Sequence, residues 1–110
     1  TKNQRYVQLF THIYQLKLIP PTGYIISYDL CQPNRDYSKL YQALRSFPNW
    51  GKLTESTWAV VSEKTAVEIR DFLYPYIDNN DRLIVVLGGR SAAWTRLLAR
   101  NEWVIENLKK

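Results

Sequence analysis

The 110-residue chain has no methionine, one cysteine and one histidine. A single cysteine, Cys31, excludes an internal disulfide, and Cys31 with His12 falls short of a zinc-ligand cluster, so a reducing, cytoplasmic location fits best. Because His12 lies in the N-terminal segment, we do not expect catalysis by a Ser/His/Asp set. Without an initiator methionine, we expect that residues before Thr1 were removed or lie outside this sequence.

Long apolar runs are also missing. No stretch approaches the roughly 18 apolar residues that a membrane span needs, and the N-terminus lacks the apolar core of a signal peptide. What is present is typical of one folded domain, with 45% apolar and 14% aromatic residues. The net charge of +5 favours an anionic partner such as nucleic acid, with an ordinary basic protein as the alternative.

Prolines divide the chain near its start. Residues 4–17 are interpreted as a helix, although Tyr14, Leu16 and Leu18 also alternate as in a strand, and Pro20 and Pro21 would end either element. We interpret residues 1–22 as an N-terminal extension or leader and residues 23–110 as the domain.

Within the domain, the apolar periodicity predicts a strand over "YIISYDL", a helix over residues 37–47 capped by Asp36, and one bent strand or two short strands over "KLTESTWAVV". Ser62 is expected to cap a second helix reaching Ile77, in which Glu68 pairs with Lys64. Residues 82–87 form a continuous apolar strand, predicted to be central, and Ser91 is expected to cap a last helix over residues 91–110.

This order of elements predicts an α+β fold: a ferredoxin-like, split βαβ sheet with two helices on one face and extra terminal helices. Such a sheet leaves two open edges, which a homodimer or the terminal helices would cover.

Asp29 is the first candidate for chemistry because it ends an otherwise apolar strand. A carboxylate there is suited to Mg²⁺, but one carboxylate is too few. A symmetric dimer that brings two copies of Asp29 together would supply the second ligand. The alternative is that Asp29 only caps the following loop.

Basic residues lie close behind Asp29 in the sequence. Arg35 and Lys39 are candidates for holding a phosphate beside a metal, and the alternative is that they simply pair with Asp36. Glu55 is expected to pair with an arginine across the sheet, with a place in a metal site as the other possibility.

Four arginines surround Trp94 in the last third of the chain; Trp94 is expected in the core, with a stacking surface as the alternative. These arginines are Arg82, Arg90, Arg96 and Arg100. The turn "GGRS" is a candidate for an anion site, with a simple turn as the alternative.

These motifs resemble a known family. "YIISYDL" with its terminal Asp29, the helix behind it, "LTESTWAVV", a second helix and "DNNDRLIVVL" are similar to the small CRISPR adaptation protein Cas-two and to virulence-associated protein D ribonucleases. They are more similar still to stand-alone relatives labelled SinR-like. The resemblance covers roughly residues 23–94.

The resemblance implies a ferredoxin-like homodimer that binds nucleic acid. It also implies that Asp29 faces its dimer mate and takes part in Mg²⁺-dependent cleavage of RNA or DNA. Thr57 and Trp58 fall where the family has residues near the dimer axis. Glu55 replaces a usual glutamine, and the glycine expected after that strand is missing. Because some members act as scaffolds, the alternative is a non-catalytic scaffold or a toxin-antitoxin-type interaction module.

Overall fold

The computed structural model describes residues 21–89 and 91–109. The helix predicted over residues 4–17, and nearly all of the predicted N-terminal extension, lie outside this range. The elements follow in chain order: β1 (Thr22–Asp29), α1 (Ser38–Arg45), β2 (Asn49–Thr54), β3 (Thr57–Ser62), α2 (Ala66–Leu73), β4 (Arg82–Leu87) and α3 (Asn101–Leu108).

The four strands form one antiparallel sheet in the order β2-β3-β1-β4. The α+β class is thus confirmed. Of the two alternatives for "KLTESTWAVV", the structure has two short strands, β2 and β3, joined by a turn at residues 55–56. The register between these strands shifts between Lys52 and Thr54, which marks a bulge beside the turn.

The main core lies between the first face of the sheet and helices α1 and α2. Leu40 and Leu44, one turn apart, are fully buried, as are Ile69 and Leu73 of α2. This spacing of four residues puts each pair on one side of its helix. Both helices therefore pack on the same face of the sheet, as the apolar pattern predicted.

The C-terminal segment covers part of the second face, where Val104 and Leu108 of α3 pack in one cluster with Leu53 and Ala59 of the sheet. The prediction of a single helix starting at Ser91 was wrong, because α3 begins only at Asn101. Arg96 has a φ of 53°, which a right-handed helix does not allow.

Tertiary pairing explains why this segment is not helical. The Leu98 backbone N–H donates to the Leu53 carbonyl of β2, 2.9 Å away. The Leu98 N–H thus forms a hydrogen bond with the edge of the sheet in place of one within a helix, although the apolar spacing of the segment suits a helix. The outer edge of β2 is partly covered as a result.

The start of α2 also differs from its prediction. Ser62 is the last residue of β3, and its hydroxyl accepts the Lys64 N–H. Thr65 is the N-cap, in a capping box in which its hydroxyl accepts the Glu68 N–H and the Glu68 carboxylate accepts the Thr65 N–H. The expected Glu68–Lys64 pair is therefore replaced by a bond to the backbone. The helix ends at Leu73, before a 3₁₀ turn that contains Pro75.

The cap predicted for α1 is found in a different form: Tyr37 is the N-cap, its side chain makes no capping bond, and the helix covers Ser38–Arg45 and not residues 37–47. The Asp36 carboxylate accepts the Ser38 N–H at 2.9 Å, at the residue where α1 begins. This hydrogen bond lowers the pKa of the Asp36 carboxyl, and the charge of Lys39 acts in the same direction.

Strand β4 was predicted to be central and is instead at an edge. Leu83 and Val85 pack against the main core, but Ile84 is 56% exposed and Val86 46% exposed. A continuous apolar run is typical of a strand buried on both faces. Here half of the run faces outward, which the sequence pattern alone does not distinguish.

Candidate functional site

Asp29 ends β1 opposite Arg82, the first residue of β4. The Arg82 guanidinium donates to Asp29 Oδ2 at 3.0 Å, and both side chains are largely exposed. An exposed ion pair of this kind contributes little stability, because water solvates both charges almost as well when they are apart. The pair therefore leaves the Asp29 carboxylate accessible to other ligands.

The capping role considered for Asp29 belongs to Asp81. Its Oδ1 accepts the Cys31 N–H at 2.7 Å, and its Oδ2 accepts the Asp78 N–H at 2.7 Å. The Tyr37 hydroxyl donates to the same carboxylate, within 2.9 Å of both oxygens. Asp81 thus connects the loop after β1, the entry to α1 and the turn before β4.

Protonation in this network follows from these contacts. Burial alone would raise the pKa of the Asp81 carboxyl, but the Cys31 and Asp78 N–H groups, the Tyr37 hydroxyl and the charge of Arg35 bring it below its ordinary value. Burial, and then the bond to Asp81, raise the pKa of Tyr37. At neutral pH, Asp81 is therefore an ionised acceptor and Tyr37 a protonated donor.

The two predicted phosphate-binding residues lie in different settings. The Arg35 guanidinium is 3.4 Å from Asp78, not paired with Asp36, and 5.3 Å from the centre of the Tyr37 ring. Lys39 is exposed in the first turn of α1. Their phosphate-binding role stays a prediction.

Thr57 and Trp58 point to opposite faces of the sheet, as neighbours on a strand do. Thr57 is half-buried on the second face, and its hydroxyl is 3.2 Å from that of Ser27. Trp58 is 1% exposed in the main core, where its indole N–H donates to the Tyr28 hydroxyl at 2.9 Å. Of these two dimer-axis candidates, Thr57 is the one whose side chain faces the same side of the sheet as Asp29.

An open patch surrounds Asp29 on the second face. Alternation along β1 and β4 puts Ile84 and Val86 on the same face as Asp29 and Arg82. We define the open patch by six residues: Ser27, Asp29, Thr57, Arg82, Ile84 and Val86. It combines exposed aliphatic side chains with one ion pair and one hydroxyl pair.

The described residues do not form a ready-made metal site. In residues 21–89 and 91–109, no three His, Cys, Asp or Glu side chains form a group that could hold an ion. Glu55 pairs with Lys52 of the same hairpin at 3.8 Å, so the arginine partner predicted for it was wrong. Cys31 is exposed and unbridged. A Mg²⁺ site built on Asp29 would thus need ligands from outside the described residues of one chain.

Basic charge is unevenly distributed along the sequence. The described residues contain ten Lys and Arg against ten Asp and Glu, so the whole excess of five comes from Arg90, Lys110 and three residues before position 21. Affinity of the described fold for an anion therefore depends on local clusters of cations, not on its net charge.

Two further expectations concern the last third of the chain. Trp94 is half-buried against the second-face cluster, as expected, and its indole N–H donates to Asn101 at 2.9 Å. Ser91 does not begin a helix, so the turn "GGRS" has no helix N-terminus to offer an anion. Arg90 lies outside the described residues.

The sequence analysis did not identify the role of Asp81. Its signal is the turn "DNND", in which Asn and Asp side chains typically bond to nearby backbone groups. The long-range partners of Asp81 follow from tertiary structure alone, since Cys31 lies 50 residues away.

Comparison with known proteins does not identify the chain: no family model, no curated protein and no solved structure matched it. Among the described residues, no helix is both long and apolar enough to cross a membrane.

Proposed function

We propose that this chain forms a ferredoxin-like homodimer that binds RNA or DNA in the cytoplasm. The strand order β2-β3-β1-β4, with α1 and α2 on one face, supports this, because each helix links two strands that have a third strand between them. That is the split βαβ arrangement. The sequence resemblance to Cas-two-like proteins supports the same proposal.

The open patch is the main observation that supports the proposed homodimer. Ile84 and Val86 are exposed apolar residues beside a charged pair, on a face that α3 covers elsewhere. Apolar side chains grouped on a surface mark interaction sites. A second copy related by a twofold axis would bury them against themselves and bring the two Asp29 carboxylates towards each other.

Metal-dependent cleavage is the activity that we propose for this dimer. Among the described residues, Asp29 is a single carboxylate paired with Arg82, and one carboxylate is too few for Mg²⁺. Asp29 from each copy, together with phosphate oxygens of the nucleic acid, would meet the oxygen-ligand preference of the ion. The proposal therefore makes metal binding and dimer formation mutually dependent.

The salt bridge to Arg82 favours a second candidate, a non-catalytic scaffold or toxin-antitoxin-type module. In that case the Asp29 carboxylate only neutralises Arg82 at the sheet edge. Nucleic acid or a protein partner would be bound without being cut. The two candidates differ in what removal of the Asp29 charge does.

The test compares wild type, Asp29→Asn and the control Asp71→Asn, whose carboxylate lies on α2 beside Arg70. Sedimentation should show that Mg²⁺ or Mn²⁺ strengthens the wild-type and Asp71→Asn dimers but not Asp29→Asn. Wild type and Asp71→Asn should cut labelled RNA and DNA, and Asp29→Asn should not. Equal cutting by all three would refute the role of Asp29, and absence of cutting with binding retained would favour the scaffold.

The dimer surface has its own matched pair of variants. Ile84→Arg places a charge in the open patch, whereas Val67→Arg places one at a similarly exposed position of α2. We expect Ile84→Arg to sediment as a folded monomer and Val67→Arg as a dimer. A monomeric wild type, or a dimer unaffected by Ile84→Arg, would contradict the proposed interface.

A further inference from the structure

A groove of about 290 Å³ runs along the outer edge of β2, far in sequence from Asp29. It is lined by Trp50, Gly51, Lys52, residues 98–100 and Trp103. Trp50 and Lys52 belong to the first face of the strand, whereas Trp103 packs on Gly51 from the second face. The groove is thus open at the sheet edge, with an indole on either side of the strand.

Gly51 makes this arrangement possible. A Cβ at this position would lie 2.9 Å from the Trp103 ring, so a larger residue would push the indole away from the strand. The Trp103 indole is also held at its polar end, where its N–H donates to Asn49 at 2.8 Å. The Asn49 amide in turn donates to Asn107 at 2.6 Å. The ring is therefore fixed before any ligand arrives.

Two cations of this region lie over an aromatic ring of the core. Arg45 and Lys52 stand 5.8 and 5.7 Å from the centre of the Trp58 ring. The lining includes Lys52 and Arg100 but no acidic residue, and the Glu55 that pairs with Lys52 at 3.8 Å is almost fully exposed. A ring does not neutralise a cation as a carboxylate does, and the exposed Glu55 carboxylate is well solvated, so positive potential remains at the groove.

Trp50 is the aromatic surface available to a ligand. It is 38% exposed, and its ring centre lies 5.5 Å from that of Trp58, which supports it from the core. A partly exposed indole supported by a second ring, next to Lys52 and Arg100, matches a flat base attached to a phosphate. An acidic peptide would use the cations but leave the indole without a stacking partner.

We propose that this groove binds an unpaired nucleotide of single-stranded nucleic acid, the base stacking on Trp50 and the phosphate contacting Lys52 and Arg100. This inference rests on the proposed nucleic-acid binding and adds a site and a strandedness to it. A paired base presents its edge to the surroundings and keeps its faces in the helical stack, so duplex is the poorer ligand.

The test measures binding of fluorescent oligothymidine of about ten nucleotides, a length within the range of single-stranded sites. Matched duplex, AMP and polyglutamate are the comparison ligands, and binding is measured without added Mg²⁺. The variants are Trp50→Ala, Trp50→Phe and the double variant Lys52→Gln with Arg100→Gln. Tyr74→Ala is the aromatic control and Lys64→Gln the charge control, both at exposed positions outside the groove. Circular dichroism checks that each variant is folded.

We expect Trp50→Ala to weaken oligothymidine binding roughly tenfold or more and Trp50→Phe to restore most of it. The double variant should lower the slope of log K against log salt by about 1.4, because each phosphate contact on a single strand contributes about 0.7. Tyr74→Ala and Lys64→Gln should bind as the wild type does.

Several results would overturn the inference. Oligothymidine binding by wild type and Trp50→Ala alike would reject the groove while leaving nucleic-acid binding intact. Absence of binding to any nucleic acid would reject the groove and the proposed function together. Preference for duplex, affinity for AMP equal to that for the oligonucleotide, or polyglutamate binding with the same dependence on Lys52 would each reject the single-stranded ligand.

Discussion

Replacement of Asp81 by asparagine should destabilise the fold more than the loss of a surface charge does. The two backbone donors bond to different oxygens, Cys31 N–H to Oδ1 and Asp78 N–H to Oδ2. An amide keeps only one of these acceptors and turns an N–H₂ group towards the other donor. One backbone N–H then loses its partner, and the remaining bonds lose their charge assistance.

The magnitude follows from these losses. An unsatisfied donor costs about 1–3 kcal/mol and a hydrogen bond to an ionised group contributes about 1.5–3 kcal/mol, values that the partial exposure of Asp81 reduces. We expect Asp81→Asn to lower the free energy of unfolding by about 2 kcal/mol. Asp71→Asn, whose carboxylate pairs with Arg70 on the surface, should cost less than about 1 kcal/mol.

The effect should also depend on pH. The folded-state pKa of Asp81 lies below its ordinary value of 3.8. The stability that the Asp81 carboxylate contributes is therefore fully present above pH 3.8 and is lost as pH falls through the folded-state pKa. Urea denaturation followed by circular dichroism, near neutral pH and in acid, measures both effects. Equal losses for the Asp81 and Asp71 variants, or a difference unchanged in acid, would refute the reasoning.

Two other predictions concern the core. Tyr28→Phe leaves the Trp58 indole N–H without its acceptor and should cost about 1–3 kcal/mol in urea denaturation. Burial raises the pKa of Tyr28, so the stability that this hydroxyl contributes is complete below pH 10.0 and is lost as pH rises through the raised pKa. Wild type should therefore lose more stability in alkali than Tyr28→Phe does. Equal losses would contradict this reasoning. Gly51→Ala should lower the free energy of unfolding by about 1–3 kcal/mol and shift the tryptophan fluorescence of the protein, because the added Cβ displaces the Trp103 ring. Gly89→Ala, with open space at its Cβ, should change neither quantity. An unchanged Gly51→Ala would show that the indole moves freely.

Much of the local structure was predictable because it depends on neighbours in the chain. The strand ending at Asp29, the bond from Ser38 N–H to Asp36 before α1 and the buried side of α1 follow from alternation, local side-chain bonding to the backbone and helical spacing. The choice of Thr65 over Ser62 as cap was also local, since Glu68 three residues on completes a capping box, but both residues are good caps.

The sequence pattern does not determine how distant segments of the chain pack against one another. Residues 91–100 have helical spacing, yet the Leu98 N–H bonds to the edge of β2, and β4 has the composition of a central strand yet lies at an edge. In both cases the outcome depends on which surface another segment already occupies.

The candidate sites divide in the same way. The sequence by itself determined the residue types: a carboxylate at the end of β1, basic residues behind it and aromatic residues near β2. Only the tertiary structure decided that Asp29 meets Arg82, that Asp81 holds the loop, and that Trp50 and Trp103 border one groove. The reason is physical: hydrogen bonds and ring contacts act over a few ångströms, and only the folded sheet brings residues 50 positions apart within that range.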